Sequence, residues 1–287
     1  MPDRARTLDV IVAGELYTDL ILSGFDFWPQ PGQEAFAKAF HREVGGGAAN
    51  TACGLAKLGS AAAIFGVVGK DGDWLIQQLE RHGLGTSHIS YDSVEPTALT
   101  VAVSMPEDRS FLTYPGANRS FPAALAEAAA ARRLGVARHV HLAFPPELST
   151  APDLFAAIRE NGCTVSLDVG WHEGWLRDAR ARQILPMLHL FFPNQAEAHC
   201  MTGRKDPESI LRWFAAAGLP RVALKLGAGD CFNAGFLHSW LNGDSPEVCL
   251  RAANICGALS TEAYGGVAGA PDGTRLRELL RAQSCGK

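Results

Sequence analysis

The chain lacks the features of a nucleic-acid-binding, zinc-binding or disulfide-stabilised protein. Its 26 Lys and Arg residues are outnumbered by 30 Asp and Glu residues, so it has no basic surplus with which to neutralise a phosphate backbone. Its seven cysteines are odd in number and scattered, and no CxxC pair occurs. This spacing favours reduced thiols over a disulfide framework and gives a zinc site little support.

Long hydrophobic runs are missing as well. No apolar run approaches the length of about 20 residues that spans a bilayer, and the first run, Leu8 to Ala13, is too short for the core of a secretory signal. We therefore expect a cytoplasmic protein without a membrane partner. The chain has 287 residues, of which 47% are hydrophobic, and can bury one large core. This predicts a single α/β domain across residues 1–287.

Short apolar runs of β-forming residues alternate with helix-length segments along the chain. Continuous apolar strands of this kind are typical of a parallel sheet that is covered by helices on both faces. The predicted strands are Leu8–Ala13, Ala61–Val67, His139–Ala143, Thr164–Leu167, His189–Phe192 and Val222–Leu226. In such a sheet, ligands bind beyond the carboxyl ends of the strands.

Two segments, Leu16 to Val44 and Thr97 to Tyr114, break this pattern. Polar and apolar residues mix in both, and Pro106, Glu107 and Asp108 form a hairpin-like turn in the second. Strands of this composition do not suit a sheet buried on both faces. We therefore predict that approximately residues 16–44 and 97–114 form a small second sheet, a lid on the main domain.

The first glycine-rich segment, Gly45-Gly46-Gly47, leads through Ala48, Ala49 and Asn50 into an apolar helix. Without Cβ atoms, its backbone N–H groups can approach the hydroxyls or anionic groups of a ligand closely. A tight turn that is required only for packing explains the same residues equally well. The segment is not a phosphate-binding P-loop, because the Gly69-Lys70 pair is followed by Asp71 instead of Ser or Thr.

The second glycine-rich segment, Gly227-Ala228-Gly229-Asp230, also leads into a helix. It places a carboxylate in the first helical turn beside small residues whose amides are free. This combination suits phosphoryl transfer, since the amides can stabilise the charge of the transferred group while the carboxylate takes the proton of the acceptor hydroxyl. An Asp that merely caps the helix is the alternative.

Taken together, the two segments resemble the signatures of the ribokinase-like (PfkB) carbohydrate kinase family. Residues 45–50, with Leu58-Gly59 and residues 66–71, look like its N-terminal signature, and residues 227–236 look like its C-terminal one. Further landmarks follow in the family's order, namely Gly14-Glu15 with Asp19, Asn194-Gln195-Ala196-Glu197, and Asn254. The resemblance implies a ribokinase-like three-layer α/β sandwich with a mostly parallel central sheet and a small β-sheet lid.

The resemblance also implies a role for each matching residue. The catalytic group comprises Asp230 as base and Gly227, Ala228 and Gly229 as an anion hole. The substrate site comprises Asp19, Gly46, Gly47 and Asn50. The cofactor site for ATP and Mg²⁺ comprises Asn194, Glu197, Lys225, Gly227 and Asn254, with Glu197 reaching the metal through water. More ordinary roles are a surface turn for Asp19, a capping box for Asn194 and Glu197, and packing for Asn254.

The predicted function is an ATP-dependent sugar kinase that transfers the γ-phosphoryl group to a hydroxyl of a small carbohydrate. A nucleoside kinase is the alternative within this fold, since Phe25, Phe27 and Trp28 of the lid can stack against a base. The family's lid often pairs subunits, so a homodimer through the lid is expected. The sequence does not distinguish one sugar from another.

The chain departs from the family just before Gly227. There the family carries a few dozen residues of β-structure that shape the nucleotide site and often a monovalent-cation site, whereas here the predicted strand Val222–Leu226 runs directly into the turn. Either the printed sequence omits a segment of the protein, or the protein lacks it. We favour the first, because deleting paired strands exposes a sheet edge. If the protein truly lacks the segment, a non-catalytic sugar-binding homologue is a further alternative to the kinase.

Overall fold

The computed structural model describes residues 6–105, 109–226, 229–262 and 266–283. The strands in chain order are β1 (Leu8–Gly14), β2 (Tyr17–Ser23), β3 (Ala39–Gly45), β4 (Ala62–Val68), β5 (Gly85–Tyr91), β6 (Leu99–Ser104), β7 (Arg109–Tyr114), β8 (Ala137–Ala143), β9 (Thr164–Leu167) and β10 (Leu190–Phe191). The α-helices are α1 (Gly47–Leu58), α2 (Asp73–Arg81), α3 (Phe121–Ala130), α4 (Ala151–Glu160), α5 (Glu173–Arg177), α6 (Ala179–Ile184), α7 (Gln195–Thr202), α8 (Pro207–Ala216), α9 (Asp230–Leu241), α10 (Pro246–Ser260) and α11 (Gly273–Ala282).

The central sheet is parallel and has the strand order β10-β9-β8-β1-β4-β5. Side chains of β1 alternate between two buried layers, with Ile11 and Ala13 in one and Val10 and Val12 in the other. Helices α3 to α8 contribute to the first layer, and helices α1, α2, α9, α10 and α11 contribute to the second. The predicted parallel sheet covered on both faces is therefore present.

The two ends of this sheet differ from the prediction. Strand β5 was not predicted, because as an edge strand it carries exposed polar residues and lacks a continuous apolar run. At the other end, Val222–Leu226 forms two isolated parallel bridges instead of a strand, Val222 with Phe191 and Lys225 with Asn194. Between these bridges lies Pro193, which has no N–H to donate, so the ladder lacks one hydrogen bond.

The second sheet has the strand order β3-β2-β6-β7. Strand β2 pairs antiparallel with β3 and parallel with β6, and β7 returns antiparallel along β6. All four strands come from the two segments that were predicted to form a separate small sheet. The predicted turn at Pro106, Glu107 and Asp108 lies outside the described residues.

Two of the four chain crossings between the two sheets are fixed by side chains of the main domain. At the first, the amide of Asn118 accepts from Leu16 N and donates to Leu16 O, with both distances 3.0 Å. At the second, Asp71 Oδ1 accepts from the backbone N–H of Thr97 over 2.7 Å and from its hydroxyl over 2.8 Å. The small sheet is thus held at both points where the chain enters it by hydrogen bonds that water would otherwise make.

Within the described ranges, six cysteines are free, and five of them are buried. No helix of the described chain is both long and apolar enough to span a bilayer.

Candidate active site

The first glycine-rich segment forms a turn that connects β3 of the small sheet to the start of α1. Gly46 caps the helix with φ 95°, a left-handed conformation that favours glycine. A Cβ atom at this position would also lie 2.5 Å from the carbonyl oxygen of Glu15. Helix α1 then begins at Gly47 and carries Asn50 in its first turn.

The second segment brings the start of α9 beside the start of α1. Asp230 is the first residue of α9, and its Oδ2 accepts a hydrogen bond of 3.0 Å from Asn50 Nδ2. The Thr51 hydroxyl donates to the backbone carbonyl of Asp230 over 3.3 Å. A Cβ atom on Gly47 would lie 3.2 Å from Asp230 Oδ1, so the glycine leaves this carboxylate open. Gly227 and Ala228 lie outside the described residues.

Asp230 has the electrostatics of a group that can accept a proton near neutral pH. Burial and the nearby Asp168 carboxylate raise the pKa of Asp230 to about 6, against the opposing effects of the Asn50 hydrogen bond and of Lys225. A carboxylate with a raised pKa is a stronger base than an exposed one and is still ionised at pH 7.

Asp168 is a site residue that sequence reasoning missed. It is buried directly after β9, where its Oδ2 accepts from the ammonium group of Lys225 and, over 2.6 Å, from Asn233 Nδ2. Its Oδ1 accepts from the backbone of Gly170 over 3.1 Å. Burial alone would lower the pKa of Lys225, but the Asp168 carboxylate raises it above its ordinary value.

Two features of the sequence point to Asp168 and Asn233. Asp168 immediately follows the predicted strand Thr164–Leu167, and polar residues at such strand ends are candidates for a ligand site. Asn233 lies three residues after Asp230 and therefore on the same face of a helix.

Asn194 and Glu197 form the capping box of α7. Asn194 Oδ1 accepts from the Glu197 backbone over 2.8 Å, while the two Glu197 carboxylate oxygens accept from the Asn194 side chain over 2.6 Å and from its backbone over 2.8 Å. Burial and the Asp168 charge raise the pKa of Glu197. The capping role is therefore present in the structure, whereas a role toward the nucleotide stays a prediction.

The carboxylates of this region fit a magnesium ion that is shared with a bound phosphate group. No group of three or more His, Cys, Asp or Glu side chains in the described part of the chain has the arrangement of a metal cage. Mg²⁺ is commonly held by one or two carboxylates, several waters and substrate phosphates, so such a cage is not required. The charges of Asp168 and Asp230 both act on Glu197, which concentrates negative potential where a divalent cation is favoured.

A cavity of about 350 Å³ separates the small sheet from the first turn of α1. Asp19 and Asn50 both line it, as does Glu43, which faces Asp19 directly across the β2–β3 pair. Burial and the Glu43 charge raise the pKa of Asp19 to about 6. Asp19 does not lie in a surface turn but within β2, because β2 begins almost immediately after β1.

Gly45 shapes the same cavity. A Cβ atom at position 45 would lie within 2.1–2.3 Å of the Asp19 carboxylate, so any side chain there would displace it. Each glycine of the triplet therefore leaves space for a different neighbouring residue. Gly45 lies against Asp19, Gly46 against Glu15 and Gly47 against Asp230.

A second cavity, of about 510 Å³, lies beside the start of α7. Its lining residues are Asn194, Gln195, Ala196, His199, Lys205, Lys225 and Leu226. The two lysines make it suitable for an anionic ligand. Asn254 is exposed in the second half of α10 and is not part of the lining of this cavity.

Comparison with known proteins gives a family match across most of the chain. Residues 7–228 and 225–273 match the model of the pfkB family carbohydrate kinases. The 2-dehydro-3-deoxygluconokinase of Bacillus subtilis is 27% identical over 286 aligned positions, which cover 85% of this chain and 88% of the relative.

Solved structures share the fold. Arabidopsis thaliana ribokinase in complex with ribose and ATP superposes with a TM-score of 0.81 at 22% identity, covering 97% of this chain and 99% of that one. An E. coli protein assigned as a ribokinase II, in complex with ATP and Mg²⁺, gives a TM-score of 0.79 at 19% identity and covers 96% and 99% of the two chains. At these identities the likeness establishes the fold alone.

The family match is interrupted where the sequence departs from the family. Its two pieces share residues 225–228, so the same short stretch corresponds to two places in the family model. Among the described residues, 222–226 pairs only on the side of β10, and Leu226 is 70% exposed. The chain as printed therefore has the open sheet edge that loss of paired strands would leave.

Proposed function

Because the chain belongs to the pfkB family of carbohydrate kinases, we propose that it transfers the γ-phosphoryl group of ATP to a hydroxyl of a small sugar, with Asp230 as the base. The family match confirms the resemblance, the fold and the class of reaction that the sequence predicted. The proposal for the residues rests on one observation. Asp230 is hydrogen-bonded to Asn50, which lines one cavity, and its charge acts on Lys225, which lines the other.

The smaller cavity is the proposed acceptor site. Asp19 lines it with no hydrogen-bond partner among the described residues, so its carboxylate is available to accept from the hydroxyls of a sugar. Asn50 lines this cavity and is hydrogen-bonded to Asp230, which supports an acceptor hydroxyl near the base. Asp230 takes the proton of that hydroxyl as the oxygen attacks the γ-phosphorus.

The larger cavity is the proposed nucleotide site. Lys205 and Lys225 supply positive charge for the phosphates, and Gly229 with the start of α9 supplies backbone N–H groups for the transferred group. When bound, Mg²⁺ would neutralise phosphate charge, and Glu197 would hold it through water. Asn254, Gly227 and Ala228 remain predicted members of the site.

A coupled assay of ADP release over a panel of sugars and nucleosides tests this function. The assay contains Mg²⁺ and K⁺, because the family resemblance implies the first and associates the second with the nucleotide site. We expect ADP release that depends on the acceptor and is abolished in Asp230→Asn. Preference for nucleosides over every sugar establishes the nucleoside kinase instead. Sugar binding without turnover establishes a non-catalytic homologue instead.

The outer face of the small sheet supports the predicted homodimer. By register, the residues on the face opposite Asp19 and Glu43 include Leu20, Leu22, Phe40, Val101 and Leu112, together with Arg42 and the already buried Val103. Phe40 is 58% exposed and Leu112 is 63% exposed. An apolar sheet face of this kind is a protein interaction surface, and we propose that a second copy of the chain covers it.

Light scattering during gel filtration tests the dimer. We expect a mass of about twice 30.6 kDa for the unmodified chain and a monomer for Phe40→Glu. Leu250→Glu is the matched control, since Leu250 is an exposed leucine on α10 away from the small sheet. A monomeric unmodified chain, or a dimer that Leu250→Glu disrupts and Phe40→Glu does not, contradicts this assembly. The cytoplasm, which supplies ATP, stays the predicted location.

A further inference from the structure

Asp168 joins three parts of the fold at one carboxylate. It follows β9, it accepts from Lys225 of the segment beside β10, and it accepts from Asn233 one turn into α9. Lys225 is 4% exposed and Asp168 is 7% exposed, so both charges are removed from water. Burial of an ion pair costs about as much free energy as the pair returns, so such a pair is weak evidence of a stabilising role.

The surroundings of Lys225 indicate a role in the reaction. Its ammonium group is bound to Asp168, while the carboxylates of Glu197 and Asp230 also act on it. It lines the larger cavity, where the proposed function places the phosphates. A fixed cation at the junction of base and nucleotide cavity is placed to stabilise the charge that spreads over a transferring phosphoryl group.

We propose that Asp168 is a positioning residue for phosphoryl transfer, because its carboxylate fixes the Lys225 ammonium beside the nucleotide cavity and, through Asn233, fixes the helix that carries Asp230. This inference rests on the proposed kinase function. Asp168 takes no proton and forms no bond to substrate. It holds two groups in the relative position that the transfer requires, and a misplacement of about 1 Å is enough to cost on the order of 100-fold in rate.

Three variants separate positioning from simple stabilisation. Asp168→Asn removes the only carboxylate that contacts the buried Lys225 ammonium among the described residues, so we expect a lower melting temperature and a kcat about 100-fold lower, with the acceptor KM within about threefold of that of the unmodified chain. The double variant Asp168→Asn/Lys225→Met removes the uncompensated charge. We expect it to regain the melting temperature but not kcat.

Ser166→Ala is the matched control. Ser166 lies two residues before Asp168, is equally buried, and loses hydrogen bonds of 2.7 Å to both His139 and His141 when its hydroxyl is removed. We expect this variant to lower the melting temperature and to leave kcat unchanged. A double variant in which kcat returns together with the melting temperature overturns the positioning role, as does Asp168→Asn with unaltered kinetics.

Calorimetric titration with Mg²⁺ and ADP distinguishes failure of this inference from failure of the proposed function. If the unmodified chain binds ADP but has no turnover, the kinase function fails. In that case, an ADP affinity at least about tenfold lower in Asp168→Asn still supports the inference that Asp168 fixes Lys225 at the nucleotide cavity. Equal ADP affinity in the unmodified chain and in Asp168→Asn overturns the positioning role of Asp168. An unmodified chain that neither turns over nor binds ADP overturns both.

Discussion

Asn50 Nδ2 donates a hydrogen bond of 3.0 Å to Asp230 Oδ2 across 180 positions of the chain. The contact joins the first turns of α1 and α9, which carry the two glycine-rich segments of the sequence. Each segment alone is explained by a turn or a helix cap. Their contact joins them into one candidate site, with the proposed acceptor cavity lined by Asn50 and the proposed nucleotide cavity lined by Lys225.

The pH dependence of the reaction follows from the environment of Asp230. The base must be ionised, and its pKa is raised to about 6 by burial and by Asp168, so kcat/KM rises with pH through about 6 and is level above. Asn50→Ala removes a hydrogen bond that holds this pKa down, so the acid limb moves to higher pH. Initial rates between about pH 4.5 and 8 measure the acid limb of the unmodified chain and that of Asn50→Ala. A limb that stays in place excludes Asp230 as the titrating group.

Substitution of Gly45 tests the acceptor cavity. In Gly45→Ala, the new methyl group overlaps the Asp19 carboxylate and displaces it, so we expect the acceptor KM to rise at least about tenfold. The ATP KM, which depends on the other cavity, stays within about twofold. Gly174→Ala is the control, because a Cβ atom there meets nothing closer than 4.0 Å and its backbone has no positive φ. An unchanged acceptor KM in Gly45→Ala places the sugar elsewhere.

The connection at Thr97 predicts how the small sheet contributes to catalysis. Asp71→Ala removes the two hydrogen bonds that Asp71 accepts from Thr97, at a cost of about 1–3 kcal/mol, and loosens the start of β6. The Thr97 hydroxyl still accepts from Gly69 N over 3.0 Å. We expect a raised acceptor KM and more ADP release without acceptor, because a loosened lid admits water to the site. Steady-state assays with and without sugar measure the two effects. Exposed Asp26→Ala, in the same sheet's long connection, is expected to leave both unchanged.

The buried histidines predict a loss of stability in acid. Burial lowers the pKa of His141 to about 4 and holds that of His139 well below its ordinary value, with Asp168 and Lys225 acting on His141 in opposite directions. An unfolded chain protonates histidine near about pH 6.5, so between pH 6.5 and 4 the unfolded state binds more protons and stability falls as the pH falls.

Urea unfolding of His141→Asn checks this dependence. The free energy lost between about pH 7.5 and 5.5 should be smaller than in the unmodified chain by about 1 kcal/mol. His82→Gln, on the surface, is the control and should match the unmodified chain. The comparison between variants is needed because the raised pKa values of Asp19 and Asp230 favour the folded state as the pH falls through the same range. A variant with the full acid dependence contradicts the assignment to His141.

Local pattern was sufficient for most of the fold. Apolar runs such as Leu8–Ala13 marked buried strands, because only a sheet covered on both faces accepts continuous hydrophobic residues. The same rule failed at the sheet's ends. Strand β5 is half exposed and so lacks such a run, while Val222–Leu226 has one but lies opposite Pro193, which cannot complete the ladder.

The sequence by itself determined the family, the parallel core, the small second sheet and the placement of Gly46 and Asp230 at helix starts, because periodicity and turn chemistry are local properties. Only the tertiary structure decided which side chains of the candidate site contact one another. The contact between Asn50 and Asp230, the opposition of Asp19 and Glu43, and the buried pair of Asp168 and Lys225 join residues from separate segments. Their burial, which sets the charge and strength of each group, arises only when the sheets and helices have packed together.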